Sequence, residues 1–572
     1  MRRHDVGLYL VPSSDDHGSE YVPEFWARRR FVSDFSGSAG DALIGLDGAW
    51  LWTDSRYWLQ AEGEIDGDVF TLMRQGAPDT PTLEAWLRDH ADGRVVGVDP
   101  RVVSLEAARK LDKAAAEAGA SLRAVDANLV DPVWEARPAR PASSAVVLDE
   151  CHAGRSAADK LSDLRAALAR RGCGAHVLSA TDAVVWLFNL RGSDVAYNPI
   201  LLAYALVEAD AARLFIAAEQ VDEGVRAHLA DFGATVEPYE ALGPALRGLS
   251  GRVWIDPAAA SLWISNEIAA SEAEPLEAES PVAKMKALKN DVELAGMRAA
   301  HVRDGVALVR FLHWLDASRP AGLDELSASQ RLDALRAEGE KFRGLSFPTI
   351  SGFGPNSAVV HYRVTQQTAL PVDDTAPYLV DSGAQYLDGT TDVTRTIHLG
   401  RPRAVERSHY TRVLRGHLAL RHTRFPRNAN GAQLDAIARR PLWDAGLDYG
   451  HGTGHGVGCY LNVHERPPGI SARSTGGFEP GMVVSNEPGL YLAGEYGIRI
   501  ENLVCVVEHG EGFLAFDDLT LAPYCRKLIA KDELTTQEIE AVDGYHARVR
   551  ESLSPRLEPD ARAWLERETA PL

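Results

Sequence analysis

The chain has 572 residues, too many for one hydrophobic core, so several domains are expected. A hydrophobic share of 45% places it among globular proteins. A formal net charge of -21 at pH 7, with no basic stripe, argues against nucleic acid as a main partner.

The opening stretch "MRRHDVGLYLVPSSDD" has an apolar run broken by proline and acids within a few residues. That is too short for a signal peptide or a spanning helix, so a cytoplasmic location without a membrane partner is expected. Strands and helices then alternate up to "EARPARPASS", around Glu135 to Ser144, whose prolines and small residues read as a linker. The middle segment again mixes strands with helices such as "KLSDLRAALARRG", and bears a weak likeness to the first. A second joint is expected near "EAEPLEAESPVAKMK", before a long amphipathic helix from about Asn290 to Asp316. Cys151, Cys173, Cys459, Cys505 and Cys525 are odd in number and without paired spacing, which fits reduced thiols and not a disulfide framework.

The last two-fifths carry spaced acids and histidines. Asp381 opens "VDSGAQYLDGTTDVTRTIHLG" and Asp392 lies eleven residues on, the separation expected when two adjacent strands each hold out a carboxylate. His455 sits in "GHGTGHGVG", where the alternating glycines forbid a stable helix. Its spacing of four from His451 is therefore not the one-face helical pair of a zinc protease, but belongs to a tight loop or strand edge. Glu487 in "VVSNEPGLYL" ends an apolar strand at a Pro-Gly turn, and Glu501 lies in "GIRIENLVCVV", which alternates like a strand. Arg499, two residues before Glu501, shares its face on such a strand and is expected to partner the acids. Further on, "TTQEIEAVDGYHARVRESL" reads as a packed or solvated helix, and the last residues carry little signal.

Four carboxylates in one pocket would raise each other's pKa unless positive charge is supplied, and two divalent ions with His455 as a neutral ligand would balance them. One four-coordinate zinc would leave ligands over, and an oxygen-rich set with a single imidazole suits harder ions such as manganese.

At this point the residues resemble a known family. "FSGSAGDALI", "WTDSRYWLQA", "WLFNLRGSDVAYNP", "VVHYRV", "DSGAQYLDGTTDVTRT", "GHGTGHGVGCYLNVHERP" and "NEPGLYLAGEYGIRIENL" are similar to elements of the metal-dependent aminopeptidase P enzymes, close to the long three-domain cytosolic form of the pita-bread metallopeptidases. The resemblance implies an α/β (α+β) chain with two related N-terminal creatinase-like α/β domains, residues 1–140 and 141–283. A pita-bread catalytic domain, residues 284–572, follows with a C-terminal extension from about residue 511. It implies two divalent metal ions, manganese first and zinc or cobalt next, with Asp381 on one metal, Asp392 and Glu501 bridging both, and His455 with Glu487 on the other. A homodimer is also implied.

Three further histidines match functional positions of that family: His361 in "VVHYRV", His451 in "GHGTGH" and His464 in "LNVHERP", with Tyr491 close by. A metal-activated water is expected to attack the peptide carbonyl, with Glu487 taking its proton. His361 and His464 are expected to hold the substrate carbonyl and shuttle a proton, and His451 to line the pocket for the residue after the cut. The implied substrates are peptides with N-terminal Xaa-Pro. A prolidase and a metal-free creatinase-like hydrolase share the fold, but the long three-domain form and the full ligand set disfavour them. Arg466 in "NVHERP" departs from the glycine common in relatives.

Overall fold

Strands apolar on both faces, such as Leu8–Pro12 and Tyr204–Glu208, need cover on both sides, and the chain supplies it by alternating strands with helices. The computed structural model describes residues 1–318 and 322–572. It divides into two units, residues 1–150 with 155–284, and residues 151–154 with 285–572.

The first unit holds two six-stranded mixed sheets built on one plan. The strand order is 70–74, 49–53, 41–45, 8–12, 95–98, 121–124 in one sheet and 234–238, 212–216, 204–208, 175–178, 250–255, 272–277 in the other. In both, the strand that comes first in the chain pairs antiparallel with the second and parallel with the fifth. The weak likeness between the first two sequence segments is therefore an architectural repeat. Residues 134–145, the proline-rich linker of the sequence, carry no helix or strand. The second expected joint is partly structured instead: Glu272–Glu277 is the edge strand of the second sheet. An edge tolerates Pro275, which has no N–H to donate to a ladder.

The second unit begins with the long helix α1 (Asp291–Ser318). Asn290 caps it: its side chain accepts from Glu293 N–H while Glu293 reaches back to the Asn290 N–H. Strands β1 (Ile350–Phe353), β2 (Tyr378–Ser382) and β3 (Val393–Ile397) form an antiparallel sheet, followed by helices α2 (Ala404–His422) and α3 (Gly431–Trp443). Next come β4 (Gly454–Gly456), β5 (Glu465–Ile470), β6 (Val483–Asn486), the two-stranded ladder β7 (Gly489–Leu492) with β8 (Tyr496–Arg499), then β9 (Asn502–Glu508) and β10 (Phe513–Asp518). A six-stranded sheet runs from residues 425–426 through β10, β9, β6 and β4 to β5.

The core packs Leu308, Phe311 and Leu315 of α1 and Tyr410 and Leu414 of α2 against Tyr378 and Val380 of β2. Two C-terminal helices, α4 (Thr536–Leu553) and α5 (Pro559–Glu568), enter the same core through Val542, Val549, Leu553, Trp564 and Leu565. The end of the chain, nearly silent in the sequence, is thus a packed part of this unit.

Candidate metal centre

The hairpin expected for the first two acids is formed by β2 and β3, which pair antiparallel with Asp381 opposite Thr394. Asp392 sits immediately before β3. Gly383 allows the close crossing of the two ends, since a Cβ there would lie 2.0 Å from the Thr391 carbonyl oxygen. His455 is the middle residue of β4, a short strand squeezed between β5 and β6. Its flanking glycine is needed there: a Cβ on Gly454 would lie 2.1 Å from the Ser485 carbonyl oxygen. The glycines of "GHGTGHG" thus serve the approach of neighbouring strands. Glu487 follows β6, and Glu501 lies in the break between β8 and β9.

Ligand atoms of Asp392, His455 and Glu501 all lie within 4.8 Å of one another. His455 Nε2 is 3.5 Å from Asp392 Oδ2 and 3.5 Å from Glu487 Oε1. Its Nδ1 lies 2.9 Å from the Gly456 carbonyl oxygen. A carbonyl only accepts, so Nδ1 carries the proton and Nε2 is the ring atom turned toward the two carboxylates. Asp381 Oδ1 is buried without a hydrogen-bond partner, while Oδ2 accepts from Arg499 Nη2 at 2.7 Å.

Burial first, then the charges of Asp381 and Glu487, pushes the Asp392 carboxyl well above the ordinary carboxylate range. Burial, then Asp392, Asp381 and Glu487, does the same to Glu501. An orphaned carboxylate oxygen and acids that repel one another both call for positive charge at one point. The donor set fits divalent cations.

Behind the acids lies a network centred on Arg499, which is 1% exposed. Besides Asp381 it donates to Tyr491 Oη at 2.7 Å and to Thr394 Oγ1 at 3.1 Å. Thr394 Oγ1 in turn donates to Glu501 Oε2 at 2.8 Å. The sequence reads Arg499 and Glu501 as neighbours on one strand face. The structure breaks that strand after Arg499, so its direct carboxylate partner is the distant Asp381 and its link to Glu501 runs through Thr394.

Tyr491 Oη lies 2.8 Å from His451 Nε2. His451 Nδ1 faces the Gly452 carbonyl, so Nε2 accepts and the tyrosine donates. His464 packs edge-on against His455 with ring centroids 4.3 Å apart. His361 enters through its chain neighbour, because Arg499 Nη2 also reaches the Val360 carbonyl at 3.3 Å. Asp381, Asp392, Glu501 and Arg499 are buried, whereas His361, His451, His455, His464 and Glu487 are half-buried.

Sequence reasoning passed over Thr394 and Ser485. Ser485 Oγ accepts from the His455 N–H at 2.9 Å and donates to Glu487 Oε1 at 3.1 Å. Both residues sit two positions from a predicted ligand on a strand, a same-face spacing that marks them.

The family model described as Metallopeptidase family M24 matches residues 295–508. Creatinase/Prolidase N-terminal domain models match residues 1–132 and 136–293, and the C-terminal region of peptidase M24 matches residues 512–572. A protein of Pyrenophora teres f. teres named Probable Xaa-Pro aminopeptidase P is 44% identical, over 100% of this chain and 91% of its own length. One of the same name from Colletotrichum graminicola is 43% identical, over 100% and 97%. Among solved structures, the X-prolyl aminopeptidase of Caenorhabditis elegans, described as a cytosolic enzyme with a di-nuclear active site, superposes with a TM-score of 0.95. It is 37% identical, over 99% of this chain and 95% of that one. The Xaa-Pro dipeptidase of Bacillus anthracis reaches a TM-score of 0.53 at 25% identity, over 64% of this chain and 99% of that one. With full-length relatives above 40% identity and all four family segments in order, the chain belongs to the M24 metallopeptidases, among the Xaa-Pro aminopeptidase P enzymes.

Proposed function

We infer that the chain is a metal-dependent aminopeptidase that releases the first residue of peptides with proline in second position. The observation that carries this reading is the orphaned Asp381 oxygen in an acidic pocket of a chain with full-length aminopeptidase P relatives.

Asp381, Asp392, His455, Glu487 and Glu501 are the residues that would hold two divalent ions, manganese by the hardness of the oxygen-rich set. Such a pair supplies a water activated for attack and charge stabilisation for the oxyanion. The chain's own residues do the rest. Glu487 is the half-buried acid, with one oxygen held by Ser485, and it takes up the proton of the attacking water as the new C–O bond forms. His361 and His464, both half-buried, donate to the substrate carbonyl oxygen as charge develops on it in this reading. When the C–N bond breaks, the proline nitrogen, which has no hydrogen of its own, takes the proton that Glu487 accepted. His451, fixed by Tyr491, lines the space for the residue after the cut. The acidic pocket favours the free ammonium of the substrate's first residue.

A cytoplasmic location is supported by five free cysteines and by the cytosolic C. elegans neighbour, and no helix among the described residues is long and apolar enough to cross a membrane. A homodimer is proposed from the likeness to long three-domain enzymes, and sedimentation at micromolar concentration tests it. The net charge of -21 supports the absence of a nucleic-acid partner.

The deciding experiment compares an Xaa-Pro-Xaa tripeptide with an Xaa-Pro dipeptide, using protein stripped of metal and resupplied with manganese, zinc or cobalt. Metal-dependent release of the first residue from the tripeptide is expected. Preference for the dipeptide would instead make the protein a prolidase, and silence on both substrates with metal bound would remove the catalytic reading. Within that assay, His361→Ala is expected to lower kcat about 100-fold, the usual cost of removing an oxyanion donor, with metal content unchanged. Loss of metal from that variant would move His361 into the ligand set.

A further inference from the structure

Arg395, in β3, is fully buried, and all its hydrogen-bond partners are neutral. Nε donates to the Pro523 carbonyl at 3.1 Å. Nη1 donates to the carbonyls of Thr394 at 2.8 Å and Glu501 at 2.6 Å. Nη2 donates to Asn502 Oδ1 at 2.7 Å, the Ala522 carbonyl at 2.9 Å and Tyr545 Oη at 3.1 Å. A buried guanidinium without a carboxylate contact stays in place only if its N–H groups all find acceptors, and the two N–H groups of Nη2 share three.

Two of those acceptors are main-chain oxygens of the metal site. Arg395 ties residue 394 on one strand to residue 501 in the break between two others, and the Thr394 side chain holds the Glu501 carboxylate. The Glu501 N–H also bonds the Thr394 carbonyl at 3.1 Å, so the guanidinium reinforces a direct link between the chain segments that present Asp392 and Glu501. Tyr545 supplies the outermost contact, from the middle of α4. Its hydroxyl also accepts from the Ala522 N–H at 3.2 Å and donates to the Thr520 carbonyl at 3.1 Å, and its ring stacks on Tyr524 at 4.7 Å. Tyr524 lies under the Arg395 guanidinium, 5.1 Å from ring centroid to Cζ.

We propose that Tyr545 is a positioning residue for the metal-binding carboxylates: by holding Ala522, whose carbonyl accepts from Arg395, and by sharing Nη2 itself, it steadies the guanidinium that bonds the Thr394 and Glu501 backbone, so the C-terminal region helps to hold metal. This rests on the metal assignment above. Removing the hydroxyl leaves the Ala522 N–H without its acceptor in a site closed to water; as Ala522 shifts to recover one, its carbonyl moves against Arg395 Nη2 and the guanidinium tilts away from Glu501. The core packing of the ring remains.

The test is Mn2+ affinity of the full-length protein, by titration calorimetry of chelator-treated enzyme. Tyr545→Phe is expected to weaken Mn2+ binding about 10-fold, the lower end for supports of a metal ligand. Val549→Ala, one turn along the same helix and fully buried in the core, tests whether instability alone does this. It is expected to lower Tm while leaving Mn2+ affinity unchanged. Unaltered affinity in Tyr545→Phe, or equal weakening in both variants, would make α4 a purely structural helix and overturn the proposal. Wild-type protein that bound no Mn2+, or Asp392→Asn that bound it as wild type does, would overturn the metal assignment and the proposal with it.

Discussion

Asp392→Asn is expected to lower kcat/KM by about 1000-fold or more through loss of metal, and at the same time to make the metal-free protein more stable. The first effect follows from removing a ligand that lies 3.5 Å from His455 Nε2 and is grouped with Glu501, where the ions supply several kcal/mol of charge stabilisation. The second follows from the repulsion among the buried acids. Asp392 and Glu501 both have carboxyls raised well above their ordinary values, by burial first and next by the neighbouring acids, Asp381 and Glu487 for Asp392 and Asp392, Asp381 and Glu487 for Glu501. Below about pH 4 folded and unfolded chains both hold these protons, and the groups contribute nothing. Above it the unfolded chain releases its protons while the folded chain keeps them, so the unfolded state binds fewer protons and stability falls as pH rises. Chelator-treated wild type should therefore lose thermal stability between pH 5 and pH 8, and saturating manganese should remove that slope. The asparagine variant should melt higher than wild type at pH 8 when both are metal-free. A lower melting temperature there would mean that the Asp392 carboxylate is already satisfied by a donor of the protein itself and would sink its place in the set.

Most of this site was legible because strand spacing carries it. Asp381 and Asp392 are separated by one hairpin's length, Glu487 ends an apolar run at a turn, and the glycines around His455 rule out a helix; each local rule placed its residue on the element found. What the spacing did not carry was pairing across the chain. Arg499 was expected beside Glu501, two residues away, yet its carboxylate contact is Asp381, because the strand breaks at Ile500 and only the pairing of β2 with β3 brings Asp381 to it. Arg395 and Tyr545, 150 residues apart, had no local signal, since a buried arginine satisfied by carbonyls leaves no charge partner to search for. The edge strand at Glu272–Glu277 was passed over for another reason. Its acids and proline are those of a linker, and they are tolerated because only one side of it is paired.

Glu465→Ala is expected to destabilise the protein by about 3 to 5 kcal/mol, the cost of breaking a buried ion pair by removing one partner, which is a fall of roughly 10 °C in Tm for a unit of this size. Lys286 and Lys289 each place their ammonium on one oxygen of the Glu465 carboxylate, and all three side chains are nearly inaccessible, at 2%, 1% and 0%. Deleting the carboxylate leaves two buried ammoniums facing each other without it. The consequence for catalysis comes from where Glu465 stands. It directly follows His464, and in β5 it pairs with Gly456, next to His455 in β4. The two lysines thus pin the strand pair that carries one candidate ligand and one candidate donor to the start of the catalytic unit. Replacing the whole cluster at once, Lys286→Met with Lys289→Met and Glu465→Met, should recover most of the lost stability, since apolar packing can match a buried ion cluster. Activity per bound metal should recover less, because methionines pack without fixing the register of β4 against β5. Urea unfolding of both variants, alongside kcat at saturating manganese, separates these effects; equal recovery of stability and kcat would make the lysines a stability device with no part in placing His455 and His464.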